Sequence, residues 1–147
     1  MKKALFIGNK FGNGFLEYKT LKFFFNVVDI IEPGLLYKNK FLLKCFHIIG
    51  PKIFSYYIHN YVLSKVKKNY DLIYVRSGEY LSKELVLELK NKTKKIVYYC
   101  NDNPFVERDK KRWNLFLPAS KLYDLLIFQD VSKNNSSDFS KILKQYL

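Results

Sequence analysis

The chain has 147 residues, 48% of them hydrophobic, and a formal net charge of +13 from 26 basic and 13 acidic side chains. That length suits one ordinary domain, and that apolar content excludes wholesale disorder. The excess charge is nearly all lysine and is spread along the chain, beside abundant Asn, Ile, Phe and Tyr. This pattern points to overall composition and away from nucleic acid, whose phosphates Arg reads better.

Lys3–Gly8 reads as a short buried strand closed by glycine, too short for the apolar core of a signal peptide. Phe15–Asn26 spaces Leu16, Leu21, Phe24 and Phe25 as a helix does, and Val27–Ile31 is a second strand ended by Glu32-Pro33-Gly34. Phe41–Asn69 is a long helical region cut by Gly50-Pro51. Its aromatic stripe of Phe41, Phe46, Phe54, Tyr57 and Tyr61 is expected in the core. The lysines around it (Lys44, Lys52, Lys65, Lys67 and Lys68) also suit a membrane surface.

Asp71–Val75 is a third strand, Ser82–Asn91 a helix with Leu85, Val86 and Leu89 on one face, and Lys95–Cys100 a fourth strand. Trp113–Leu117 reads as a short helix and Asp124–Phe128 as a fifth strand. Asn135–Tyr146 is a last helix capped by Asn135 or Ser136. The alternation predicts an α/β fold over residues 1–147: a Rossmann-like, doubly wound parallel sheet of about five strands with helices on both faces.

Cys45 and Cys100 read as buried, unpaired thiols, and His47 and His59 as packing residues. No Cys/His cluster has metal-ligand spacing, so neither a metal nor a cofactor is implied. A cytoplasmic protein is expected. Asp71 and Asp124 precede strands and read as structural.

Ligands of open parallel sheets bind at the carboxyl ends of the strands. Three polar segments stand there. In Gly8–Gly14, the glycines Gly8, Gly12 and Gly14 allow close backbone approach to an anion at a helix N-terminus, or simply a strand-to-helix turn. Its spacing is neither GxGxxG nor a Walker loop. In Arg76-Ser77-Gly78-Glu79, Arg76 can bind phosphate or carboxylate, or pair with Glu79 on the surface. In Asn101-Asp102-Asn103-Pro104-Phe105, with Glu107, Arg108 and Asp109 behind, Asp102 can take a proton or hold sugar hydroxyls. An Asx-turn fixed by Pro104 is the plain alternative.

These segments resemble the N-terminal domain of glycosyltransferases with two Rossmann-like domains (GT-B fold), of the spore-maturation glycosyltransferase-like group. The matching stretches are Lys3–Gly8, Tyr70–Val75 with Gly78–Leu81, Lys95–Phe105 with Arg108-Asp109 and Arg112-Trp113, and Leu122–Asp124. The resemblance implies a cleft for a nucleotide-sugar donor and a sugar or glycan acceptor. Gly8, Gly12 and Gly14 would border the donor diphosphate. Arg76, Gly78, Glu79, Asn101, Asn103 and Arg108 would line the acceptor side, with Asp102 as the base for an acceptor hydroxyl. The chain ends after its fifth strand and helix, so the donor-binding half would come from a separate domain or chain, and this one would be inactive alone.

A non-catalytic α/β binding or interaction module is the alternative. A receiver-like signalling domain has similar size and topology but needs acids at the end of strand one and a phosphorylatable Asp after strand three. Gly8-Asn9 and Arg76 stand there instead.

Overall fold

The structure is a computed structural model, and residues 1–33, 39–67, 69–102 and 111–128 are described. The last helix expected over Asn135–Tyr146 lies outside them, as do Asn103, Pro104, Phe105, Glu107, Arg108 and Asp109.

The elements in chain order are β1 (Lys3–Ile7), α1 (Asn13–Phe24), β2 (Val27–Ile31), α2 (Lys40–Ile49), a 3-10 turn (Pro51–Phe54), α3 (Ser55–Lys65) and β3 (Leu72–Arg76). They continue with α4 (Lys83–Lys90), β4 (Ile96–Cys100), the short α5 (Phe116–Ala119) and β5 (Leu125–Phe128). The five strands form one parallel sheet in the order β2-β1-β3-β4-β5. This is the flavodoxin-like order within the doubly wound, Rossmann-like class, with the switch point between β1 and β3.

The strands form because their runs are Ile-, Val-, Leu- and Tyr-rich and both faces are covered. Side chains alternate between two cores. Leu5, Ile7, Ile73, Val75, Ile96 and Tyr98 meet Phe46, Ile58, Val62, Leu85, Leu89, Trp113 and Phe116 on the face of α2 to α5. Ala4, Phe6, Leu72, Tyr74 and Val97 meet Leu21 of α1 and the adjoining Phe25 on the other face. Helices therefore lie on both faces. Asn39 caps α2 by accepting from the Phe41 amide, and Ser82 caps α4 by accepting from the Leu85 amide.

At the amino edge a side chain ties each of three neighbouring strand pairs together. Asp71 accepts from the Lys3 amide at 2.8 Å while its own amide donates to the Lys3 carbonyl at 2.8 Å. Asp124 does the same with Ile96, at 2.7 and 2.9 Å. Asn26 does it with Lys2, at 3.0 Å each way.

The aromatic stripe of the α2–α3 region departs from the core expectation. Phe46 is buried and Phe54 and Tyr61 are partly buried, but Phe41 is 70% and Tyr57 58% exposed. The region carries apolar residues on its outer as well as its inner side, so helical spacing alone cannot say which stripe packs. Trp113–Leu117, expected as a helix, is a turn that enters α5 only at Phe116.

Candidate functional site at the carboxyl edge of the sheet

The exits of β1 and β3 lie side by side. Gly8 has φ 153°, and a Cβ there would come 2.8 Å from the Arg76 Cβ. A glycine is thus needed for β1 to pass beside β3. Asn9 turns the loop, its side chain accepting from the Phe11 amide at 2.9 Å. Lys10 is drawn toward Glu32, whose carboxylate accepts from the Lys10 amide at 3.2 Å and lies 3.8 Å from its ammonium. Gly12 precedes α1 with φ 59° and offers no side-chain cap.

Gly14 lies in the first turn of α1, where a Cβ would run into the Asn9 carbonyl oxygen and approach the Arg76 Cδ to 3.3 Å. Gly14→Ala is expected to cost about 1–3 kcal/mol, because backbone rather than a flexible side chain must yield. Urea unfolding checks this; an alanine variant as stable as the parent would contradict the close approach.

Arg76 does not pair with Glu79, the surface partner weighed for it. Its Nε donates to Glu17 of α1 at 2.9 Å, and the Tyr74 hydroxyl donates to the same carboxylate at 3.0 Å. Both charged side chains are largely buried. Burial pushes the Glu17 carboxyl above its ordinary range, against the lowering pull of Arg76 and Tyr74. Burial likewise pushes the Tyr74 hydroxyl well up, so it stays a donor.

A second ion-pair node joins β3 to β4. Glu79, expected at the surface, is buried, and Arg112 donates to it at 3.2 Å. Arg112 also lies 3.0 Å from the Asp102 carboxylate and 5.0 Å above the Trp113 ring. Burial raises the Glu79 carboxyl, with Arg112 opposing it. The Asp102 amide points at the Cys100 sulfur at 3.3 Å. The Asn101 Oδ1, Arg112 Nε and Trp113 Nε1 are buried without hydrogen-bond partners. Gly78 sits where a Cβ would strike the Val75 side chain, and Ser77 takes a positive φ of 49° to turn the chain.

Most of the expected site residues that are described thus fall into two nodes. Gly8 and Gly14 meet at Arg76, which pairs with Glu17. Glu79 and Asp102 share Arg112, and Asn101 is the chain neighbour of Asp102. Asn103 and Arg108 lie outside the described residues. Glu17, Tyr74 and Arg112 are partners in these nodes that the sequence reading does not place at the site. A signal for Glu17 was present: it is the lone acid of α1 and lies in register with Gly14 and Leu21, a stripe that is buried.

His59 is bound to Glu88 at 3.0 Å, and of the two free thiols Cys100 is buried whereas Cys45, expected buried, is only partly so. Among the described residues no group of three His, Cys, Asp or Glu side chains is placed to hold a metal ion. A depression of about 510 Å³ lies at the opposite, amino edge of the sheet, beside Met1, Tyr70 and Lys92. The Asp71 carboxylate there is already engaged by Lys94 at 2.7 Å and by the Lys3 amide.

No family model matches the chain. No curated protein matches it either. Among solved structures, a CheY-like response-regulator receiver domain from Methylobacillus flagellatus is similar to it. The two share 13% identity and a TM-score of 0.49, over 100% of this chain and 99% of that one. A likeness of that size assigns no function by itself.

These comparisons correct the glycosyltransferase reading. None of them returns such an enzyme, and the structural likeness they do return is to a receiver domain. The nucleotide-sugar donor and the glycan acceptor fall with it. In the structure Arg76 pairs with Glu17, and the Asp102 carboxylate lies 3.0 Å from Arg112. No helix among the described residues is long and apolar enough to cross a membrane.

Proposed function

We propose that the chain is a non-catalytic α/β interaction module, in peripheral contact with a membrane, whose working surface is the outer side of α2 and α3. The observation that carries this is where its ionisable groups are spent. At the carboxyl edge, Arg76 is neutralised by Glu17, and Arg112 is shared by Glu79 and Asp102. Acid–base chemistry needs a group poised to exchange a proton with a substrate, and these are committed to one another. Meanwhile Phe41, Ile48, Ile49, Ile53, Tyr56 and Tyr57 are exposed on one stretch of chain. Exposed apolar side chains gathered in this way mark interaction surfaces.

The test compares the two surfaces. A benzophenone side chain is placed at Tyr56 in one variant and at Asp102 in another, and each is irradiated in the cells that make the protein. Adducts, lipid or protein, are expected at position 56, and they should vanish when Phe41 and Ile48 are also changed to serine. Adducts confined to position 102 would overturn the reading.

A further inference from the structure

We infer that the outer side of α2 and α3 binds the surface of an anionic lipid bilayer; this rests on the interaction-module reading above and names its partner. On α2 the exposed Phe41, Lys44 and Ile48 follow helical spacing and stand opposite the buried Phe46. On α3 the exposed Tyr56, Tyr57 and Asn60 stand opposite the buried Ile58 and Val62. Phe46, Ile58 and Val62 join one core on one face of the sheet, so both outer stripes look out from that side. Between them the exposed Lys52 and Ile53 continue the surface.

The charge of this stretch selects the partner. Between Glu32 and Asp71 the sequence has seven lysines and no Asp or Glu. Among the described residues, two carboxylates from other elements engage the region: Glu88 holds His59 at 3.0 Å, and Asp29 holds Lys67 at 3.3 Å. Lys40, Lys44 and Lys52 form no ion pair with a described residue, and all three are exposed.

Lysines beside Phe, Ile and Tyr on short helices match an interfacial membrane contact, with rings and aliphatic chains at the headgroup level and ammonium groups on lipid phosphate. The helices have 10 and 11 residues, about 15 Å each, so they lie along a bilayer rather than span it. A second copy of the same face would bring lysines against lysines, which disfavours a symmetric pair. Nucleic acid would use the cations but leave the exposed Phe and Ile without a role.

Gly50 fixes the geometry. It has φ 91°, and a Cβ there would lie 2.6 Å from the Lys111 carbonyl oxygen, so the turn between α2 and α3 is pressed onto the body of the protein. The two helices are thus presented as one surface.

The test is co-sedimentation of the full chain with vesicles of phosphatidylcholine alone or with about a third phosphatidylglycerol. Binding is expected on the anionic vesicles only, weakening as salt is raised. Changing Lys40, Lys44 and Lys52 together to glutamine should weaken it about a hundredfold, at about fivefold per lysine. Changing Phe41, Ile48 and Ile53 to serine should abolish it, with the circular-dichroism melt of both variants unchanged because all six positions are exposed. Equal binding to neutral vesicles, or none to either by a folded chain, overturns the inference. A dimer dissociated by the same serines, or binding to RNA or to an acidic protein in place of vesicles, overturns it too. In those cases face-specific adducts at position 56 would still uphold the interaction module but not its membrane contact, whereas adducts at position 102 alone would sink both.

Discussion

Arg76→Met is expected to destabilise the fold by about 3–5 kcal/mol near pH 7, the usual cost of removing one partner from a buried ion pair. The Arg76 and Glu17 side chains are only 14% and 8% exposed, so water cannot replace the lost guanidinium. Glu17 would keep the Tyr74 hydroxyl as a donor, but one neutral hydrogen bond does not offset a buried charge.

The pH dependence follows from the sign of the shift. Glu17 already sits above the ordinary 4.5 of a glutamate because burial outweighs the pull of Arg76. A carboxyl raised in the folded state favours folding fully below its unfolded value, and that contribution is lost as pH rises through the folded value. Removing Arg76 moves the folded value further up. The deficit of the variant should therefore be largest at neutral pH and shrink as pH falls and Glu17 takes up a proton. Adding Glu17→Gln should restore much of the loss, because no buried charge then remains. Urea melts from pH 5 to 8 on the two single variants and the double variant read this. A deficit independent of pH and unrelieved by Glu17→Gln would show that the pair is not the cause.

Trp113→Ala should cost about as much, roughly 3–5 kcal/mol, by a different route. The indole is fully buried, with its ring edge-on to Phe116 at 5.7 Å and the Arg112 guanidinium 5.0 Å over it. Alanine would leave a cavity beneath the second ion-pair node and remove the surface on which Arg112 rests. Trp113→Phe should be far milder, because the indole N–H has no acceptor to lose. Thermal unfolding of the two variants separates packing from hydrogen bonding. Equal losses would mean that the N–H matters after all.

The strands were legible because each is a short apolar run bounded by a turn residue or an acid. The parallel order followed from the helices between them. The partners of the charged groups were not. Reading along the chain pairs Arg76 with Glu79, three residues on. The fold instead brings in Glu17 from α1, 59 residues away, because β1 and β3 are neighbours at the switch point. Glu79 is turned inward to Arg112 by the Ser77–Gly78 turn.

The α2–α3 aromatics misled for another reason. Helical periodicity identifies a buried face by contrast with a polar one, and here Phe41 and Ile48 remove the contrast. The family resemblance rested on local stretches at the strand ends. Similar stretches arise wherever parallel strands finish in polar turns, so they report the fold and not a reaction.

The paired bonds at the amino edge have a consequence for how the sheet avoids error. A strand displaced by one residue turns its apolar set to the wrong face, a mistake that Ile- and Val-rich runs otherwise resist only by packing. With Asn26, Asp71 and Asp124 each giving and taking one bond across the edge, any such slip forfeits two hydrogen bonds at once. Each clamp holds a donor and an acceptor at one residue position, so it acts as a ratchet tooth. The side chains nearest the strand starts thus proofread the alignment of three of the sheet's four strand pairs.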